Sequence, residues 1–431
     1  MNDVIGTLRR VLRWPERGRS GPWLVALGIA LILSIQPIWR DSVAIGIAGT
    51  LALALIAAAR WQLRWVLAIV LVGCGIALRL ALIDSQPASD VSDVTEYAIR
   101  TLLAGGDPYG VGYNVSRPAG AAFPYGPVAL LWYLPSYGDP AFIEFLVSVA
   151  LLVYFGLRAV NGRPIGLAIF AVAPPLVLAS MDGSNDTSAG VLILLAMALL
   201  AARPALGAAV LAVAVAFKPY AAAWLLPMVA WAGVPAAIGF VIASVIAWAP
   251  VLFMWGPGSY LRSLAMAQET HLRESYWSVA AILDGISPGL APRALETARY
   301  FVSGAIAFFG ARRVRSLDGV IVVGTLSFLV AQFGGYFGSY VYLAAVAPLL
   351  CWRVDDWLRM GLPELTRAYA EWPDIGRRVR RPAATSTPAL PNPVGGAVPA
   401  PRLGRAQARV LSSVVADRDA SPSRPSRTPT G

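Results

Sequence analysis

Between Ser89 and Pro127 the chain carries Asp90, Asp93, Glu96 and Asp107, with Arg100 and Arg117 among them, although only 14% of its residues are charged. Carboxylates gathered in one polar segment of an apolar chain are suited to taking a proton from a hydroxyl. Lys218, the only lysine among 35 lysines and arginines, interrupts the apolar stretch FKPYAAAWLLP (Phe217 to Pro227). A charge there costs roughly 2.5–3.5 kcal/mol at mid-bilayer, so its retention invites a functional reading as an anion clamp. The alternative is a lysine that snorkels to the headgroups while Pro219 breaks the helix. Asp182, Asn185 and Asp186 sit in the turn DGSND just before another apolar stretch. His271, the only histidine, lies in AQETHLRESYWS beside Arg273, and is a candidate anion contact or proton shuttle.

Composition dictates what must position these groups. Of 431 residues 57% are apolar, and runs about as long as a hydrocarbon core is thick recur along the chain. The expected class is an all-α polytopic membrane protein. Spans are predicted at residues 22–39, 43–59, 65–83, 140–157, 164–180, 187–201, 204–217, 219–232, 235–255, 297–311, 319–334 and 337–352. Segments 204–217 and 219–232 are short for crossings and read equally as a tilted pair or a re-entrant hairpin, so about ten to twelve spans are expected.

A net charge of +11 does not make a nucleic-acid surface, because the arginines fall in the tails and in short loops on alternate sides of the spans. Five arginines precede residue 22, and Arg60, Arg64, Arg158, Arg163, Arg203, Arg312, Arg313, Arg315 and Arg353 share their side in this topology. By the positive-inside rule both termini are cytoplasmic. The acidic segment, the 182–186 turn, the Lys218–Pro219 junction, and loops 84–139 and 256–296 then share the exoplasmic face. The division is a basic segment over 1–21, a membrane domain over 22–352, and a tail over 353–431. From about Gly361 that tail is too rich in Pro, Arg and Ser to bury a core.

Asp93-Val94-Thr95-Glu96 is predicted to start a short amphipathic helix lying in the interface and ended by Gly105-Gly106. Two roles stand for Asp93: an N-cap completed by Glu96, and a general base at a lipid–water boundary. Arg79 either pairs with the acidic loop or snorkels. Cys74 and Cys351 lie in apolar spans without metal-ligand spacing and read as small buried hydrophobes.

Four elements in order, D-x-x-x-Y (Asp93, Tyr97), G-x-x-PY (Gly105, Pro108, Tyr109) with FPYGP (Phe123 to Pro127), DGSND, and FKPY, carry a resemblance. They are similar to motifs of polyprenyl-phosphate-sugar-dependent glycosyltransferases of the GT-C fold, nearest to the bacterial mannosyltransferases of glycosyltransferase family 87. The resemblance covers roughly residues 65–350. It implies a GT-C-like helical bundle whose exoplasmic loops carry short in-plane helices. It implies further that Asp93 deprotonates an acceptor hydroxyl, with Lys218, His271 and Arg273 on the donor phosphate. Asp90, Glu96, Tyr97, Tyr109, Tyr125, Asp182, Asn185 and Asp186 would contact substrate. The implied partners are a polyprenyl-phosphate sugar donor, a glycolipid or glycan acceptor and membrane lipids.

The aromatics Tyr109, Tyr113, Phe123, Tyr125, Trp132 and Tyr133 read as an interfacial belt, some of which can also stack on sugar faces. Asp90, Asp93 and Glu96 are suited to a hard divalent cation, but nothing in their pattern calls for one, and three carboxylates on a helix are more often a solvated face. A secondary transporter or a lipid-linked-sugar flippase is the rival class, though the sequence shows no internal repeat.

Overall fold

The computed structural model describes residues 21–36, 41–61, 64–82, 89–116, 119–137, 139–270 and 277–360. The chain divides into a unit spanning Met1–Pro373 and a second, Asp374–Gly431, which lies wholly outside the described residues. The described part is helical, with one two-stranded antiparallel sheet in which β1 (Gly112–Tyr113) pairs with β2 (Ala121–Ala122).

In chain order the helices are α1 (Gly21–Ser34), α2 (Asp41–Trp61), α3 (Arg64–Leu82), α4 (Asp90–Leu103), α5 (Pro127–Tyr133), α6 (Pro140–Val160), α7 (Ile165–Val172) and α8 (Pro174–Ala179). There follow α9 (Asp186–Leu200), α10 (Pro204–Phe217), α11 (Leu225–Ala232), α12 (Val234–Met254), α13 (Gly256–Thr270), α14 (Val279–Ile286), α15 (Leu295–Ala311), α16 (Leu317–Phe333) and α17 (Tyr342–Met360). Three of them, α3, α6 and α12, are long and apolar enough to cross a membrane. On α12, Ile238, Val241, Ile242, Val245 and Ile246 all stand exposed, an arrangement suited to contact with lipid.

Local chemistry explains the boundaries. The Asp139 side chain accepts from Phe142 N at 3.1 Å and Pro140 opens α6, which then runs 21 residues, about 30 Å at 1.5 Å per residue. Pro204 opens α10, and Pro219 cannot continue it, so Lys218 leaves the helix in extended conformation (φ −143°, ψ 113°). A 3-10 turn over Pro219–Trp224 and the eight-residue α11 follow. The segment from 204 to 232 is thus one helix, a break and a short second helix. The expected single span at 164–180 is likewise two helices, parted at Pro174-Pro175.

Two expectations are corrected. The acidic helix begins at Asp90, with Ser89 as its N-cap (Val91 N to Ser89 Oγ, 3.3 Å), so Asp93 lies inside the helix and caps nothing. Serine precedes the acids and caps better from outside than a residue already within the first turn. The tail expected from residue 353 starts later, because α17 continues to Met360.

That extension has a structural role. Asp355 is buried and accepts from Ile165 N (3.1 Å) and Gly166 N (3.0 Å), capping α7 from a distant helix. Asp356 pairs with Arg163 (2.8 Å) and Arg353 (3.1 Å), and Arg353 also meets Asp318 (2.9 Å). These charges gather where α6 and α17 end. The polar groups at the starts of the same two helices lie about 30 Å away.

Candidate functional site

Lys218 is set by the break it occupies. Ending α10 leaves the Phe217 carbonyl without a helical partner, and Gly126 N donates to it at 3.2 Å. Only glycine fits there, since a Cβ at 126 would lie 2.0 Å from the Ala216 carbonyl oxygen. FPYGP and FKPY are therefore docked on each other, which brings the Tyr125 ring to 5.2 Å from Lys218 Nζ. Tyr220 and Tyr342 complete the surround at 5.1 and 5.8 Å.

The ammonium donates to Asp186 Oδ1 at 2.7 Å and to the Ser184 carbonyl at 3.3 Å. Tyr220 donates to the same Asp186 oxygen at 2.5 Å. Asp186 begins α9, where the helix dipole favours its charge. An ammonium has three N–H donors, so one remains after these two bonds, within the tyrosine surround.

The turn before α9 ties the acidic helix to this cluster. Ser89 N donates to the Asp182 carbonyl at 2.7 Å, and a Cβ at Gly183 would lie 2.9 Å from that of Ser92. The Asp182 side chain accepts from Ser184 N at 2.9 Å. Burial pushes the Asp182 carboxyl up to about 6.

Asp90 faces the cluster closely enough for its charge to act on Tyr125 and Tyr342. Asp90, Asp93 and Tyr97 follow at i, i+3 and i+7 and share one side of α4. Asp93 is half-buried, and its carboxylate has no hydrogen bond or ion pair among the described residues. Glu96 instead pairs with Arg100 along the exposed helix surface, with the guanidinium 5.4 Å from the Tyr97 ring. Among the described residues no three His, Cys, Asp or Glu side chains form a metal-holding group.

Tyr109 is almost fully buried, at 1% exposure, among Phe123 (5.8 Å), Trp255 (6.0 Å) and Tyr260 (5.4 Å). It anchors the segment 107–110 to α13, where Ser259 bonds Asp107 and Gly110 N donates to Ser263 Oγ at 2.7 Å. Phe123 separates it from Tyr125 and Lys218. His271 and Arg273 lie outside the described residues. The structure thus brings together Asp90, Tyr125, Asp182, Asn185, Asp186 and Lys218, with Asp93 one turn along from Asp90. Glu96 and Tyr109 are directed elsewhere.

Several participants went unread in the sequence. Tyr220 and Tyr342 resemble ordinary interfacial tyrosines, and nothing in one dimension joins them to Lys218. Glu144 did leave a signal, being a lone acid inside an apolar span. It is fully buried on α6 and accepts from Tyr133 Oη (2.7 Å), Ser188 N (3.0 Å) and the Ser188 hydroxyl. Arg79 neither snorkels nor meets the acidic loop. Fully buried, it donates to Ser148 Oγ (2.6 Å), Ser180 Oγ (2.9 Å) and the carbonyls of Gly75, Phe170 and Ala171. Two of those carbonyls belong to the end of α7, where a cation suits the dipole.

No known protein family, curated protein or solved structure matches the chain.

Proposed function

We propose that the chain is a multi-pass integral membrane glycosyltransferase. In this reading it moves a hexose, mannose by the family resemblance, from a polyprenyl-phosphate donor to a glycolipid or glycan acceptor. The observation that carries the reading is the meeting of FPYGP, DGSND and FKPY around Lys218, with the acidic helix tied to the DGSND turn. The acidic helix, the FPYGP turn, the DGSND turn and FKPY share one end of the bundle. The arginine pattern makes that end exoplasmic and puts both termini in the cytoplasm.

The chemistry needs few groups, because the donor already carries a good leaving group. Asp93 takes the proton of the acceptor hydroxyl as its oxygen bonds to the anomeric carbon. The bond from that carbon to the phosphate oxygen breaks, the phosphate departs with the electron pair, and the configuration inverts. The remaining N–H of Lys218 meets the departing phosphate, so the Asp186 pair need not break. Asp90, Asp182, Asn185 and Asp186 are hydroxyl-binding groups in the same cluster.

A transport reading draws on one observation, a broken helix with a buried ion pair at the break. Membrane vesicles holding the full chain and labelled polyprenyl-phosphate mannose separate the two. Transferase activity yields labelled glycolipid or glycan and free polyprenyl phosphate, with loss of product in Lys218→Gln. Donor that crosses the bilayer unchanged, with no new glycoside, contradicts the transferase reading.

A further inference from the structure

Asn185 is the N-cap residue of α9 and yet does not cap it. Its backbone is left-handed, with φ 56° and ψ 6°, a conformation that strains a residue bearing a Cβ. Its side chain is fully buried, and neither Nδ2 nor Oδ1 has a partner among the described residues. The same holds for Asp186 Oδ2 and Thr187 Oγ1 on the next two residues. Strain and unspent hydrogen-bonding capacity at consecutive positions both oppose folding, so the turn is not optimised for stability.

The capping duty has passed to another helix. Ser188, third in α9, donates its N–H to Glu144 Oε2 at 3.0 Å, where an N-cap side chain usually accepts. The Glu144 carboxylate is fixed in turn by Tyr133 and by the Ser188 hydroxyl, which accepts from Trp132 Nε1 at 3.0 Å. Ser188 N can only donate to Glu144, and both hydroxyls stand where they can donate to it as well.

We infer that Glu144 is a positioning residue that caps α9 from outside and thereby leaves Asn185, Asp186 Oδ2 and Thr187 to bind adjacent hydroxyls of a ligand. The inference rests on the reading above that this cluster binds a sugar. A hydroxyl pair matches the set, because one hydroxyl donates to Asp186 Oδ2 while accepting from Asn185 Nδ2. An anion does not match, because that oxygen repels it. The phosphate belongs to Lys218, and the sugar ring to the start of α9.

The test measures melting of the full chain in detergent, with methyl α-mannopyranoside as probe. Asn185→Gly is expected to melt at or above the wild type, since glycine removes the strain and the unpartnered amide together. Glu144→Met, which removes the acceptor for Ser188 N, is expected to melt about 2 °C lower or more. In the Glu144→Met background the same Asn185→Gly change is expected to lower melting, because the asparagine is then needed as cap. Where Glu144→Met gives no folded protein, Glu144→Asp, one methylene short of Ser188 N, supplies the background. The glycoside should raise wild-type melting and leave Asn185→Gly unmoved.

A drop in melting for Asn185→Gly alone makes Asn185 structural and overturns the inference. Failure of the sign to reverse removes the positioning role of Glu144. An equal response to the glycoside in wild type and Asn185→Gly, or none in either, overturns the hydroxyl site. Absence of glycosyl transfer by wild type contradicts the transferase reading without touching the order of melting temperatures, so the two failures are told apart.

Discussion

Lys218 Nζ lies 2.7 Å from Asp186 Oδ1, and neither side chain is open to solvent. A buried pair of this kind is expensive to break from one side, because the surviving charge keeps its desolvation cost without its partner. Replacing both partners by apolar residues is far cheaper.

Lys218→Met is therefore expected to destabilise the protein by about 3–5 kcal/mol. Lys218→Met combined with Asp186→Leu should recover most of that loss in detergent melting, yet remain inactive in transfer. Recovery of transfer along with stability would show that the pair serves packing alone.

Gly126→Ala tests how FPYGP is docked. The added methyl meets the Ala216 backbone, which cannot move aside without shifting α10. A loss of about 1–3 kcal/mol is expected. Because Gly126 also fixes Tyr125 against Lys218, transfer should fall more than in a variant of equal stability altered far from the cluster. Equal losses would separate the docking from the site.

The Asp182 carboxyl gives a pH signature. Its folded value of about 6 lies above the ordinary carboxylate value of 3.8, so the native state holds its proton longer than the unfolded chain. Stability credited to Asp182 is therefore greatest below about pH 4 and declines as pH rises through 6. Asp182→Asn keeps the acceptor for Ser184 N without that charge. Relative to this variant, the wild type should lose about 2–3 kcal/mol between pH 4 and 7. A pH-independent difference would contradict the buried, proton-holding Asp182.

How far the sequence reached is clearest residue by residue. Apolar length predicted helices, and α3, α6 and α12, the three among the described residues long and apolar enough to cross a membrane, fall close to the expected spans 65–83, 140–157 and 235–255. FPYGP, DGSND and FKPY meet because each lies at a helix terminus, FPYGP and DGSND leading into α5 and α9 and FKPY where α10 ends. Details set by side-chain reach were not legible. Asp93 looked like a cap because the tripeptide after it fits one, while the cap is Ser89, four residues earlier. Arg79 looked like an interfacial arginine because its acceptors, Ser148 and Ser180, are separated from it by 69 and 101 residues. Glu144 was legible as an oddity, but its partner Ser188 lies 44 residues away.

The central claim is that Asp93 is the base of a sugar transfer. Since Ser89 holds the cap, Asp93→Asn should leave melting unchanged and isolate the chemistry. The direct measurement is the rate of transfer from polyprenyl-phosphate mannose in membranes carrying wild type or Asp93→Asn at equal amounts. A fall of about 10²–10⁴-fold with unchanged melting is the expected result. Full transfer by Asp93→Asn would contradict the account.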